Sequence, residues 1–520
     1  MKKILYSLVL LLSLGSCQKF EELEKNPNLP VQVPADLVLK DILMDMYEGT
    51  WNKDARYNQY YTVNYNYYGN NEYDWTTSDL RYTTLKNVLK MEEEAKKNLS
   101  TDKNAYAALG KFFRAYFWFW MTQRVGDVPL KDALQGEANI TPRYDTQKDI
   151  YLQVLTWLDE ANTDLGSLQA AGQATLPLKG DIYLNNSLNS WQKVVNAFKL
   201  RVLINLSKRT DDADLKVKTR FSEVVANPTK FPLFTGNADN LQFVYNAVYN
   251  KYPINPDNFG NDATRQEMSA THVELLKRYQ DPRLFVTAEP AEAQLKKGVK
   301  ATDFAAFIAP SPALSLDVMS TGANNGEYSF INRNRYYKGY TPEPTVILGY
   351  SEQSFNIAEA INLGWATGDA ADYYQKGILA NMDFFGIKNG TNTVVFEIRN
   401  AGVATSQSFT ISFDPTAYLG QSLVKYAGNT TEGRKQILNQ KYLAMFMTSG
   451  IEPFFNWRRT GYPDNFATQG AGIGTRGIPR RWQYPVSDRL YNETNYREAL
   501  QRQFGSATQD NVKDELWVLK

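Results

Sequence analysis

Aromatic rings and amide side chains are concentrated in one stretch, YNQYYTVNYNYYGNNEYDW at residues 57–75. It holds eight aromatic residues and five asparagines in nineteen positions. Tyrosine and tryptophan rings can stack on apolar faces and still form a hydrogen bond, and asparagine amides both donate and accept. This stretch could therefore bind a sugar chain or a peptide. The residues predicted to contact such a ligand are Asn66, Tyr67, Tyr68, Tyr73 and Trp75.

The same rings could instead pack the N-terminal part of the chain onto neighbouring helices. Neither helical nor strand periodicity holds through the stretch, and each buried tyrosine hydroxyl would need a partner. Both interpretations stay open from the sequence. An exposed, aromatic-lined pocket would favour ligand binding.

Catalytic chemistry would need groups that are scarce in this chain. His272 is the only histidine, which limits histidine-dependent triads and zinc sites, and it lies near a predicted helix start without a catalytic role. Glu352 and Glu359 are seven residues apart and would share a helix face, as the acid pair of a helical glycoside hydrolase could. That spacing is equally expected on a solvated helix edge. We predict a binding protein with no catalytic residue and no cofactor, with a surface enzyme acting on oligosaccharides as the alternative.

The only cysteine, Cys17, directly follows a segment that has the pattern of an export signal. A positive start precedes an apolar run that is too short to span a bilayer. The sequence Leu14-Gly15-Ser16-Cys17 resembles the bacterial lipobox, in which the cysteine becomes the first residue and is acylated. An ordinary signal peptide is the alternative, but a lone thiol has no disulfide partner. The predicted segments are a lipoprotein signal peptide at 1–16, a lipid anchor at Cys17 and a lipidated tether at 17–34.

Charge and apolar content restrict the class of the remaining chain. The formal net charge is +1, and removal of the signal peptide with Lys2 and Lys3 changes it to −1. A balance this close to neutral argues against nucleic-acid binding. A hydrophobic content of 43% in a chain of 520 residues is enough for a large core in one or two domains.

Helical periodicity dominates the first half of the chain, and the second half is mixed. Residues 351–387 predict two helices around a glycine-bounded turn, similar to a tetratricopeptide unit. β-Branched and aromatic residues at 391–400 and 407–414 predict a small hairpin. Residues 308–345, rich in Pro, Ser, Gly and Asn, are predicted to form loops. The predicted fold is mainly α, with tetratricopeptide-like helical pairs as a scaffold, long irregular loops and a small β-hairpin.

Several motifs, in this order, resemble the SusD/RagB family of outer-membrane nutrient-binding lipoproteins. They are RVGDVPL at 124–130, SWQKVVNAFKLRVLINLS at 190–207, NIAEAINLGW at 356–365 with AADYYQKGI at 370–378, EPFFNWRRTGYP at 452–463 and IPRRWQYPVSDRLYNETNY at 478–496. Asp488 departs from the family, which often has a glutamate after the Tyr-Pro step. The resemblance covers nearly the whole mature chain.

This resemblance implies that residues 35–520 form one SusD-like, helical nutrient-binding domain. It implies a lipid-anchored position on the outside of the outer membrane. The implied partner is a SusC-like TonB-dependent β-barrel transporter, to which the protein would deliver a glycan or an oligopeptide. The ligand site would lie on irregular loops, partly N-terminal ones.

The motif residues themselves mostly suggest structural roles. Asp127 is predicted to be a turn residue, and Trp457 and Trp482 are predicted to lie in the core. Acidic loop residues Asp257 and Asp262 would permit a calcium ion, but their spacing does not predict a metal site. Four arginines are predicted to cap helix ends or pair with acids, although an anion site is possible: Arg458, Arg459, Arg480 and Arg481.

Overall fold

A computed structural model describes residues 33–99, 101–172, 177–260, 262–400 and 403–520. The predicted signal peptide, the anchor Cys17 and all but the last two residues of the predicted tether lie outside the described residues.

Most of the regular structure in these ranges is helical, which confirms the predicted mainly α fold. The helices are α1 Ala35–Asp45, α2 Lys53–Tyr57, α3 Tyr82–Leu99, α4 Ala105–Val125, α5 Gln147–Ala170, α6 Leu188–Asn205, α7 Val217–Ala226, α8 Ala270–Arg278, α9 Arg283–Thr287, α10 Glu292–Lys296, α11 Leu316–Asn324, α12 Arg333–Tyr337, α13 Tyr350–Asn362, α14 Ala370–Phe384, α15 Pro415–Gly420, α16 Thr431–Ala444, α17 Glu452–Thr460, α18 Val486–Tyr491 and α19 Glu493–Phe504.

The long helices pack in consecutive pairs. Helix α4 contacts α5, α5 contacts α6, and α13 contacts both α14 and α16. The pair α13–α14 is the predicted tetratricopeptide-like unit. Its close approach depends on Gly377, where a Cβ atom would lie 2.8 Å from the Phe355 ring. These pairs form the scaffold that carries the loops.

Three two-stranded antiparallel sheets accompany the helices within the described ranges. Strands β5 and β6 form the predicted hairpin, in which Gly390 faces Phe413. The short sheet of β1 and β3 holds the N-terminal aromatic stretch against the middle of the chain. The strands are β1 Tyr61–Val63, β2 Leu241–Phe243, β3 Gln266–Met268, β4 Thr345–Leu348, β5 Gly390–Asn400 and β6 Val403–Phe413.

The prediction of loops throughout residues 308–345 is wrong, because α11 and α12 lie inside this stretch. Met319 of α11 is fully buried, and its helix passes close to Tyr328 at Gly322. The Asn332 side chain accepts a hydrogen bond from the Arg335 N–H and caps the start of α12. Tertiary packing and capping therefore outweigh a composition that is typical of loops.

Buried apolar side chains from Ala35 to Leu519 form one continuous core cluster. Each of the four motif arginines pairs with an acid or binds the end of a helix, as predicted. Arg459 binds Glu359 at 2.7 Å, Arg480 binds Glu515 at 3.1 Å, Arg481 binds Asp510 at 2.5 Å, and Arg458 donates at 3.0 Å to the Gln123 carbonyl in the last turn of α4.

Candidate functional site

The aromatic stretch turns sharply after β1 and presents residues 65–68, here named the aromatic turn. The Asn71 side chain fixes its base, since it donates to the Val63 carbonyl and accepts from the Val63 N–H, both at 3.0 Å. The Arg56 guanidinium donates to the Tyr68 carbonyl at 3.2 Å. The turn is therefore held by side chains on both sides.

The aromatic turn exposes the central residues of the predicted ligand set. Tyr67 is 81% exposed, Asn66 is exposed, and Tyr68 is half-buried beneath them. The rings of Tyr67 and Tyr68 meet edge to face with centroids 5.0 Å apart, and the Arg265 guanidinium lies 4.8 Å over the Tyr65 ring. Exposed rings held in this way can stack on a ligand without first being ordered.

The other two predicted residues point inward. The Tyr73 hydroxyl donates to the Tyr57 carbonyl at 2.7 Å and accepts from the Gln59 amide at 3.1 Å. Trp75 is 1% exposed, and its ring stacks on Trp482 with centroids 3.4 Å apart and planes 6° apart. The Trp75 ring is therefore part of the core, although Tyr73 and Trp75 both line a small cavity, and their contact with a ligand stays a prediction. The stretch thus combines buried rings that pack against the core with exposed rings that are available to a ligand.

A cavity of about 610 Å³, here named the cleft, lies next to this stretch. It is bounded by the glycine-rich loop 468–478, Trp457 and Lys513. A second cavity of about 260 Å³ shares the turn 474–477 with the cleft and is lined on its other side by residues 70–76. The Tyr73 N–H also donates to the Ile473 carbonyl at 3.3 Å, which joins the two segments.

The loop that forms one wall of the cleft has a fixed shape. Its ends meet where the Ile478 N–H donates to the Thr468 carbonyl at 3.3 Å, and the Gly472 N–H donates to the Ala313 carbonyl at 3.0 Å. A Cβ atom on Gly472 would lie 2.2 Å from the Leu314 carbonyl oxygen, so only glycine allows this close approach of two backbones. The cleft is therefore built into the fold.

Trp457 lies in the last turn of α17 and contributes the aromatic surface of the cleft. Its ring stacks on Phe466 with centroids 4.6 Å apart and planes 19° apart, and it contacts Phe454 at 5.4 Å. It is half-buried and lines the cavity. Trp457 packs against the core, as predicted, but it is only partly buried, whereas Trp482 is buried in the core. The glycines at 470–477 were the only sequence signal for this wall.

The acid pair considered for a glycoside hydrolase is used in buried ion pairs. Glu352 binds Arg201 at 2.5 Å, and Glu359 binds Arg459 at 2.7 Å and Arg434 at 3.0 Å. Burial alone would raise the pKa of Glu359, but the neighbouring positive charges outweigh it and lower that pKa to about 2. Such a carboxylate cannot act as a general acid near neutral pH.

The remaining candidates for special chemistry have structural partners. His272 is buried near the start of α8, and its ring stacks on Phe446 with centroids 4.5 Å apart. Asp257 binds Lys251 at 2.5 Å. Within the described ranges, no three His, Cys, Asp or Glu residues are grouped as metal ligands, and no helix has the length and apolarity of a membrane span.

Comparisons with known proteins agree with this architecture. The family described as "Starch-binding associating with outer membrane", SusD-like, matches residues 27–485. A SusD homolog of Bacteroides fragilis NCTC 9343 is 32% identical over 94% of this chain and 100% of its own, with a TM-score of 0.80. A second SusD homolog of that organism is 29% identical over 94% and 100%, with a TM-score of 0.76. A chitin-binding SusD homolog of Flavobacterium johnsoniae shares the fold at 19% identity over 94% and 98%, with a TM-score of 0.68.

A comparison with curated proteins gives no match. The family match nevertheless spans most of the chain, and the solved SusD homologs are covered over their whole length. These findings confirm the family predicted from the motifs and indicate a nutrient-binding or glycan-binding protein associated with the outer membrane. The chain belongs to the SusD-like family.

Proposed function

We propose that this protein is a surface lipoprotein, anchored through Cys17, that binds nutrient oligomers and delivers them to a SusC-like TonB-dependent β-barrel transporter. The ligand is a glycan or an oligopeptide. The protein acts as a binder and not as an enzyme, so the ligand leaves it chemically unchanged.

One observation carries the ligand-binding part of this proposal. An exposed aromatic turn and a cleft with a half-buried tryptophan lie on the same loop-bearing region, joined through residues 70–76. A concave site that places a tryptophan beside polar and charged side chains suits a ligand with both apolar and polar faces. The family and the chitin-binding fold relative support a sugar chain as one ligand class.

Co-purification from outer membranes tests the complete proposal. The protein is extracted in mild detergent, and mass spectrometry identifies the large partner and any small ligand. We expect a β-barrel transporter together with an intact oligosaccharide or oligopeptide. A protein that comes alone and cleaves the oligosaccharides offered to it would support the enzyme alternative instead.

Replacement of Tyr67 by alanine should weaken ligand binding. We expect roughly tenfold lower affinity, because an aromatic anchor at a binding surface typically contributes about 1–2 kcal/mol. The exposed side chain has little effect on folding, so the melting temperature should stay close to wild type. Titration calorimetry with the co-purified oligomer measures the change. Tyr249→Ala is the matched control, since Tyr249 is 93% exposed and lies in another loop; wild-type affinity in Tyr67→Ala would contradict the assignment.

Replacement of Cys17 by alanine should release the protein from the membrane. The thiol is the predicted site of acylation, and each buried methylene of an acyl chain contributes about 0.8 kcal/mol to membrane binding. Fractionation of cells that express the variant should find it outside the membrane pellet. Retention in the outer-membrane fraction would show that another segment anchors the protein.

A further inference from the structure

We propose that the cleft binds an acidic oligosaccharide, meaning a sugar chain that carries carboxylate or sulfate groups. This inference rests on the proposed function and names the class of its ligand. The residues that carry it are Trp457, Gln469, Thr475, Arg476 and Lys513, all of which line the cleft.

Two cations face the cleft without an acidic partner. Arg476 is exposed in the turn 474–477, and Lys513 donates from Nζ to the Ile478 carbonyl at 2.6 Å. Neither forms an ion pair with any residue in the described part of the chain. The next arginine along the loop, Arg480, does have one, since it binds Glu515 at 3.1 Å. Lys513 lines the cleft, whereas Arg476 lies in the turn that the cleft shares with the smaller cavity and lines both.

The surroundings of Lys513 leave its positive charge uncompensated. Burial, and secondly the charge of Arg480, lower the pKa of Lys513 from its ordinary value. An anion bound here would offset that repulsion. The acids Glu72 and Asp74 line the neighbouring cavity on the other side of the turn 474–477 and do not line the cleft. Because these two acids line only the smaller of the two cavities, a ligand with acidic groups is favoured in the cleft.

The other walls suit a sugar ring. The Trp457 ring is backed by Phe466 and remains half-buried, so it offers a rigid face on which the apolar side of a pyranose can stack. The Gln469 amide and the Thr475 hydroxyl are exposed at the same cavity and can donate to or accept from sugar hydroxyls. A cavity of about 610 Å³ has the size of a typical small-ligand pocket.

The test compares a charged and a neutral form of the same chain. The full mature protein is titrated by calorimetry with an oligogalacturonate, with its fully methyl-esterified neutral form and with a sulfated galactan oligosaccharide. We expect the wild type to bind at least one anionic chain, and about tenfold or more tightly than the neutral one, because charge-assisted hydrogen bonds contribute strongly. The affinity should also fall as salt is added.

A double variant assigns the effect to the cleft. Arg476→Gln with Lys513→Gln should remove the preference for the anionic chain, because it removes both unpaired positive charges from the cleft. The matched control is Lys388→Gln with Lys425→Gln, two exposed lysines that also lack an ion pair among the described residues and do not line the cleft. Melting curves of both double variants check that they fold.

The outcomes separate this inference from the function it rests on. Equal binding of charged and neutral chains by the wild type, or an unchanged preference in the cleft variant, would overturn the acidic-sugar inference alone. Failure of the wild type to bind any of the three sugars, while a transporter and an oligopeptide co-purify, would also overturn it and leave the proposed function standing. Co-purification of neither partner nor ligand, with no sugar bound, would overturn both.

Discussion

Replacement of Trp75 by alanine lowers the free energy of unfolding by about 3–5 kcal/mol, the range for removal of a large buried aromatic side chain. The ring is 1% exposed and stacked on Trp482, and it also contacts Phe454 edge to face at 4.8 Å. Alanine would leave a cavity between these partners. Denaturant unfolding, followed by tryptophan fluorescence and circular dichroism, measures the loss.

Tyr67→Ala is the control for this prediction, because it removes an aromatic ring from the same stretch at an exposed position. Its free energy of unfolding should differ from wild type by no more than about 0.5 kcal/mol. A Trp75→Ala variant as stable as Tyr67→Ala would show that the ring is not part of the core. The contrast between the two variants separates a residue that stabilises the core from one that is proposed to bind the ligand.

This segment shows how far the sequence alone could predict the site. Its density of aromatic and amide residues predicted a ligand site, and the structure exposes Asn66 and Tyr67 at its centre. What could not be predicted was which rings turn inward. That is decided by partners distant in sequence, since Trp75 stacks on Trp482 and the Tyr73 N–H donates to the Ile473 carbonyl.

The fold was more predictable than the site because helical periodicity is a local signal. The pair α13–α14 and the hairpin β5–β6 form where the pattern of residues 351–414 predicted them. Long-range contacts left no such signal. Asp127, predicted to be a turn residue, accepts from the Gln147 N–H at 2.8 Å and binds Arg502 near the end of the chain at 2.6 Å. Asp127 therefore also joins the C-terminal helix α19 to the start of α5.

The cleft, too, could not be predicted from the sequence, because contacts between distant residues form it. Trp457 is predicted to lie in the core, and its ring does stack on Phe466. The cavity beside Trp457 is bounded by a glycine-rich loop, and contacts with residues 312–314 fix the shape of that loop. Helix α17, which carries Trp457, is itself attached to the scaffold through Arg459 and Glu359.

The buried ion pair between Arg459 and Glu359 should contribute strongly to the free energy of unfolding. Arg459 meets both Glu359 oxygens, at 2.7 and 2.8 Å, and both side chains are at most 1% exposed. Glu359→Gln should lower the free energy of unfolding by about 3–5 kcal/mol, because it leaves a buried guanidinium without its counter-charge. Glu432→Gln, an exposed acid in α16, is the matched control and should have little effect.

The pH dependence of stability tests the same pair independently. Positive neighbours hold the pKa of folded Glu359 at about 2, below its ordinary value of 4.5, despite the opposing effect of burial. A lowered pKa stabilises the fold above pH 4.5, and this contribution is lost as the pH falls from about 4.5 to about 2. The stability difference between wild type and Glu359→Gln should therefore shrink by roughly 3 kcal/mol across that window. A difference that is constant with pH would mean that the charge of Glu359 does not stabilise the attachment of α17.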